Sequence, residues 1–247
     1  MKSTANTILI TGGGSGIGAA LAHRLHDLGN TVIIAGRRLD VLKQAAEGRA
    51  NIVPVQFDAD DAASVDAFAR QVVADHPALN VLINNAGIMR FEDANQRRDL
   101  ADAEATITTN LLGPIRLINA LTDHLRQQAD AAIINTTSGL AFVPLLATPT
   151  YNATKAALHS YTVALREVLK GSVEVIELAP PAVQTDLTPG QATREGYLPL
   201  ADYIDEVMSL LTASPTPAEV LVQKVLFLRN AEKEGRYAQA LAALNNH

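Results

Sequence analysis

The sequence predicts a doubly wound α/β fold, with one parallel sheet and helices on both faces. Three features carry the expectation. Six short runs rich in Val and Ile are nearly continuous in apolarity, as strands covered on both sides must be. Helix-length segments separate them, so the two element types alternate along the chain. A glycine-rich turn joins the first run to an amphipathic stretch.

The strands are expected at TILIT (7–11), TVIIA (31–35), NIVPVQF (51–57), NVLINN (80–85), AAIINTT (131–137) and SVEVIEL (172–178). Helices fall at about 16–29, 39–47, 61–75, 98–128 and 150–170, with Gly29-Asn30 and Gly171 as stop signals. Segment 186–200 carries two prolines and two glycines and reads as a long exposed loop, a candidate lid. Residues 201–213 and 216–230 read as helical, and the tail GRYAQALAALNNH shows no strand. Without repeats or a linker, residues 1–247 are expected to form one domain.

Composition excludes several function classes. With 48% hydrophobic and 19% charged residues, the chain is of ordinary globular make-up. No cysteine is present, so neither a disulfide nor a thiolate zinc site can form, and no metal is expected. A net charge of -6 gives no electrostatic support for binding nucleic acid or an anionic membrane. No stretch approaches the ~20 apolar residues of a membrane span. The start, MKSTANTILIT, lacks a signal peptide's apolar core. A soluble, cytoplasmic protein is expected.

The first strand runs into TGGGSGIGAALAHRL. Glycines allow a tight turn and close backbone approach, and the following helix N-terminus offers free N–H groups and the positive end of its dipole. Dinucleotide phosphates need this combination. Gly12, Gly14, Ser15, Gly16, Ile17 and Gly18 are the candidate contacts. The second strand ends in Gly36-Arg37-Arg38, where an Asp or Glu would bind a free ribose 2′-OH. Guanidinium groups suit a 2′-phosphate instead, so NADP(H) is expected over NAD(H). Two solvated arginines at the start of a surface helix are the alternative. Asp58, beside Ala59, could accept from an adenine amino group or cap the next helix.

Further along come Asn84-Asn85-Ala86-Gly87, then Asn110-Leu-Leu-Gly113, then Ser138 closing the fifth strand. Tyr151-x-x-x-Lys155 follows thirteen residues later, and Pro180, Val183 and Thr185 lie after the sixth strand. In this order and spacing the chain resembles single-domain members of the short-chain dehydrogenase/reductase family, over about residues 7–190. The Pro-Pro-Ala-Val-Gln-Thr wording is similar to that of the DltE-like oxidoreductases. The resemblance implies a Rossmann-type sheet, a nicotinamide cofactor, and contacts to it from Asn85, Ala86, Gly87, Tyr151, Lys155, Pro180, Val183 and Thr185.

The chemistry can be argued from the residues. Reducing a ketone needs a proton at oxygen, from an acid placed against it. Free tyrosine, near 10, is a weak acid, and a cation one helical turn away lowers that value by stabilising phenolate. Lys155 lies at that spacing from Tyr151. Ser138 can hold the substrate oxygen. Asn110 either holds a water linking Lys155 to solvent or caps a bend in its helix. Asn84 reads as structural. The expectation is an NADP(H)-dependent oxidoreductase acting on a carbonyl or secondary alcohol of moderate apolarity. A dinucleotide-sensing protein without turnover is the alternative, disfavoured because Tyr151 and Lys155 are both kept.

Two departures from the family matter. Pro181 replaces the usual glycine, which stiffens the loop and removes an N–H donor. The usual seventh strand is expected to be missing. Small residues Ala153, Ala156, Ala157, Ser160 and Ala164 would allow close helix contact, so a homodimer is expected. Met89, the apolar segment after Ser138 and the lid are expected to wall the substrate side.

Overall fold

A computed structural model describes residues 1–246. His247, the last residue of the tail, lies outside the described residues. The sheet is parallel throughout, in the order β3-β2-β1-β4-β5-β6-β7. The strands are β1 (Thr7–Thr11), β2 (Thr31–Gly36), β3 (Ile52–Gln56), β4 (Leu79–Asn84), β5 (Ala132–Thr136), β6 (Glu174–Leu178) and β7 (Glu219–Val220). Alternate residues serve opposite faces. Ile8 and Ile10 meet one core layer with Leu21 and Leu25 of α1 (Gly16–Asp27), Leu42 of α2 (Leu39–Ala46) and Val207 of α7 (Leu200–Leu211). Leu9 meets the other layer, with Val65 of α3 (Ala62–Asp75) and Leu117 of α5 (Gly113–Leu125). The chain leaves β1 toward β3 and returns to β4. A crevice therefore opens at the carboxyl ends of β1 and β4, where such sheets bind ligands.

The helix expected at 98–128 is interrupted. α4 (Ala101–Ile107) passes through a wider π turn, Thr108–Leu112, into α5. Pro114 supplies the reason. It has no N–H for the carbonyl of Asn110, and its ring would clash with that carbonyl in a regular α turn.

The region after α7 also departs from expectation. Residues 216–230, expected as helix, hold the two-residue β7, a 3₁₀ turn and the short α8 (Leu226–Arg229). A seventh strand is thus present, paired Glu177↔Glu219 and Leu178↔Val220. The tail forms α9 (Tyr237–Asn245), and Asn245 donates to Pro144 O at 3.1 Å and accepts from Leu146 N at 2.7 Å. No helix among the described residues is long and apolar enough to cross a membrane.

Buried amides tie the strands at both ends. At the amino ends, Asn30 Oδ1 accepts from Asn6 Nδ2, and Asn6 Oδ1 accepts from Asn80 Nδ2, each at 2.9 Å. At the carboxyl ends, Asn84 Nδ2 donates to Asn135 Oδ1 (2.9 Å), and Asn135 Nδ2 donates to Thr162 Oγ1 (3.0 Å) on α6 (Pro149–Val168). Asn84 is structural, as expected.

Candidate active site

The glycine turn is built for close approach. Gly12 has φ +67°, and a Cβ there would sit 2.9 Å from Ala86 Cα. A Cβ on Gly18 would lie 2.3 Å from Gly12 O, so only glycine lets α1 pack against the turn. Thr11 Oγ1 accepts from Asn85 N and Ala86 N, both at 3.1 Å, while Asn85 Nδ2 donates to Thr11 O. These bonds fix the two loops beside each other. Ser15 is the N-cap of α1 but makes no capping bond, which leaves the helix's first N–H groups without a side-chain partner.

Two adjoining hollows extend from this turn. The smaller, about 190 Å³, is lined by Gly14, Ser15, Arg37, Arg38, Asp58 and Ala59, among others. Arg37 is largely exposed, with only a loose 3.8 Å approach to Asp60. Asp61, not Asp58, caps α3, accepting from Ala63 N at 3.0 Å. Asp58 instead accepts from Asp60 N at 3.1 Å. Asp60 was not foreseen from sequence. Its carboxylate accepts from Thr109 Oγ1 at 2.7 Å and ties this hollow to the π turn.

The larger hollow, about 410 Å³, brings together Gly16, Ile17, Gly87, Ser138, Tyr151, Lys155, Pro180, Val183 and Thr185. Arg90, Pro181, Asp186 and Leu187 also line it. Met89 and the 140–150 segment are not among the residues that line it. Segment 186–200 is less free than a loose loop. Leu198 pairs with Val183, and buried Gln191 donates to Val183 O at 2.8 Å and to Thr185 Oγ1 at 3.1 Å.

Ser138 stands at the end of β5 in extended backbone, and its Oγ accepts from Leu140 N at 3.1 Å. With that lone pair engaged, its proton is available elsewhere. Pro149 starts α6, which puts buried Tyr151 in the first turn and Lys155 one turn on. Burial pushes the Tyr151 phenol up to about 12, and a hydrogen bond from Ser138 works the other way. Lys155 was expected to lower the phenol. Its Nζ instead donates to Thr136 O at 2.8 Å and lies 5.6 Å from the ring centre, and burial holds it down at about 8.

Asn110 is fully buried in the π turn. Its Oδ1 accepts from Ile88 N and its Nδ2 donates to Ile88 O, both at 2.8 Å. The side chain thus holds the segment after Gly87 with both of its polar atoms. Glu92 was also missed by sequence reading. Its carboxylate accepts from Thr150 N (3.0 Å), Thr150 Oγ1 (2.7 Å) and Arg98 (2.7 Å), and so clamps that segment to the start of α6. Burial opposes its ionisation, but these donors outweigh it and hold the carboxyl below the usual range.

The residues fit a dinucleotide. Thr136 Oγ1 is buried without a partner on the wall of the larger hollow. Lys155 has N–H donors beyond the one given to Thr136 O.

Fold and cleft together define a nucleotide-dependent oxidoreductase, and comparison with known proteins agrees. Residues 6–196 match the family model described as short chain dehydrogenase. The chain is 45% identical over 199 residues to the uncharacterized oxidoreductase DltE of Bacillus subtilis (strain 168), covering 79% of each chain. It is 31% identical over 186 residues to a sulfoacetaldehyde reductase of Chromohalobacter salexigens, covering 73% of this chain and 74% of that one. Its fold is similar to that of a short chain dehydrogenase from Burkholderia cenocepacia in complex with NADP, with TM-score 0.82, 24% identity and 98% of each chain covered. The chain belongs to the short-chain dehydrogenase/reductase family.

Proposed function

We propose that this oxidoreductase uses NADP(H) and acts on a carbonyl, or in reverse a secondary alcohol, of a moderately apolar small molecule. The observation that carries the reading is one cleft holding Ser138, Tyr151 and Lys155 beside the glycine turn and Arg37 and Arg38. The nicotinamide, when bound, supplies the hydride. Tyr151 gives its proton to the substrate oxygen. A phenol at about 12 keeps its proton at neutral pH, and the Lys155 charge one turn on favours its release to the substrate oxygen. Ser138 donates to the same oxygen and steadies the charge that develops there. Lys155 keeps a positive charge near the nascent phenolate below about pH 8. Asn110 positions the loop after Gly87 and holds a water that links Lys155 to solvent.

Arg37 and Arg38 grip the 2′-phosphate, while the glycine turn and the start of α1 hold the pyrophosphate. Asp58 and Ala59 border the adenine. The chain acts as one domain, 1–247, with 186–200 as its lid. Absence of cysteine suits the reducing cytoplasm. Two copies pair through α4, the π turn after it and α6, which leave Ile107, Leu112, Val163 and Val168 exposed beside the small residues Ala153, Ser160 and Ala164.

The test is oxidation of NADPH against NADH over a panel of ketones and aldehydes. An anionic aldehyde belongs in the panel, because Arg90 lines this cleft and one relative is named for sulfoacetaldehyde. Tyr151→Phe should lower kcat by about 10²–10⁴-fold. Arg37→Ala with Arg38→Ala should erase the NADPH preference. Full turnover in Tyr151→Phe, or preference unchanged without both arginines, would refute the corresponding assignment.

A further inference from the structure

A polar row crosses β4 to β7 near their carboxyl ends. Asn84, Asn135, Glu177 and Glu219 are register partners across β4, β5, β6 and β7. Glu177 is fully buried, and both of its oxygens are engaged. Oε1 accepts from Thr137 Oγ1 at 2.6 Å, and Oε2 accepts from His159 Nδ1 at 2.7 Å. Thr137 immediately precedes Ser138. Beyond Ser138, Phe142 ends the 139–141 turn and meets the His159 ring edge-on, with centroids 5.0 Å apart. Both flanks of Ser138 therefore rest on His159.

We propose that His159 is a positioning residue for Ser138, acting through Glu177 and Thr137 on one side and Phe142 on the other, and that its protonated form holds the turn. This rests on the role given to Ser138 above. The orientation of the Ser138 hydroxyl depends on its bond from Leu140 N at 3.1 Å, so the shape of the turn decides where the proton points.

Charge explains why a histidine is needed. A buried carboxylate requires a positive partner or costs heavily. Arg229 is bidentate to Glu219, at 2.8 and 2.9 Å, and stacks over Phe142 at 4.7 Å. Arg166 donates to the carbonyls of Val175 and Ala218 and faces Glu219 from further away. Among the charged groups of α6, β6, β7 and α8 that face this cluster, His159 alone bonds Glu177. That bond raises the imidazole above its ordinary value, with burial opposing. His159 lies four residues after Lys155 and eight after Tyr151, so one face of α6 carries the acid, the cation and the support of the serine.

The test follows the His159 ring and the Ser138 amide by NMR from pH 5 to 9, with kcat measured in parallel. In the wild type the ring should titrate above about 6.5, and the Ser138 amide should shift with the same midpoint. In Glu177→Gln that midpoint should fall. His159→Gln keeps a donor and loses the charge. It should lower kcat about tenfold at pH 6, leave NADPH affinity unchanged and remove this ionisation from the kcat profile. Thr137→Val should do the same. A Ser138 amide indifferent to the His159 midpoint, or a kcat profile in His159→Gln with every wild-type ionisation retained, overturns the proposal. If no substrate turns over, the proposed function fails, and the amide titration still decides the coupling.

Discussion

Lys155→Met should give a protein that is inactive yet more stable at neutral pH. Burial lowers this lysine from 10.5 to about 8. Below pH 8 both folded and unfolded forms carry the charge, and the folded state bears the full desolvation cost. The drop corresponds to about 3 kcal/mol, at about 1.36 kcal/mol per pH unit. Methionine removes that cost at similar length, but it forfeits the 2.8 Å bond to Thr136 O, worth about 1 kcal/mol. The net gain at pH 7 is about 2 kcal/mol, or roughly 4–8 °C in Tm for a chain of this size. The sign of the pH dependence is fixed by linkage. Between pH 8 and 10.5 the unfolded chain binds more protons, so wild-type stability rises through that window while the variant's does not. Urea unfolding at pH 7, 8.5 and 10, at fixed protein concentration and without nucleotide, reads both quantities. A variant less stable than wild type at pH 7, or a gap that stays constant up to pH 10, would show that Lys155 carries no desolvation cost.

Glu92→Gln should destabilise the protein by about 1–3 kcal/mol at pH 7, since it removes charge-assisted bonds to Thr150 and Arg98. Because the folded carboxyl sits below its usual value, its contribution is complete above about pH 4.5 and is lost as pH falls through the lowered value, so wild type and variant should converge in acid. Light scattering should give a dimer mass, and Val163→Glu with Val168→Glu should give a monomer of unchanged fold by circular dichroism. A tetramer, or a charged variant that still dimerises, would refute pairing through α6.

Most of the frame was legible because burial on both faces leaves a strong mark. The first six strands appear within about two residues of their expected places, since Val- and Ile-rich runs bounded by turns leave few alternatives. β7 was hidden because two residues carry no periodicity. Glu219 and Val220 become a strand only because Glu177 and Leu178 offer a paired edge. The π turn was foreshadowed by Pro114 inside a helical pattern, which marks a disturbance but not its form. Ser138, Tyr151 and Lys155 converge as their spacing suggested. Their electrostatics were not legible, because desolvation depends on what surrounds a group and not on its neighbours in sequence. Glu177 did leave a signal, as one of two carboxylates, with Glu174, inside the Val- and Ile-containing run SVEVIEL. Its partner His159 lies eighteen residues away and could be assigned only in three dimensions.

The asparagine ties described for the fold bear on how the strands find one another. TILI, TVII, NVLI and AAII are nearly interchangeable as apolar strings, and parallel pairing between any two of them would bury similar area. A slip of two residues keeps each side chain on its own face, so hydrophobic burial discriminates poorly against it. Such a slip would part Asn84 from Asn135 and Asn6 from Asn80. Each buried amide left without a partner costs about 1–3 kcal/mol. The amides thus act as an address written across the strands. They add little to the depth of the native state, but they make the misaligned sheet the one the chain abandons.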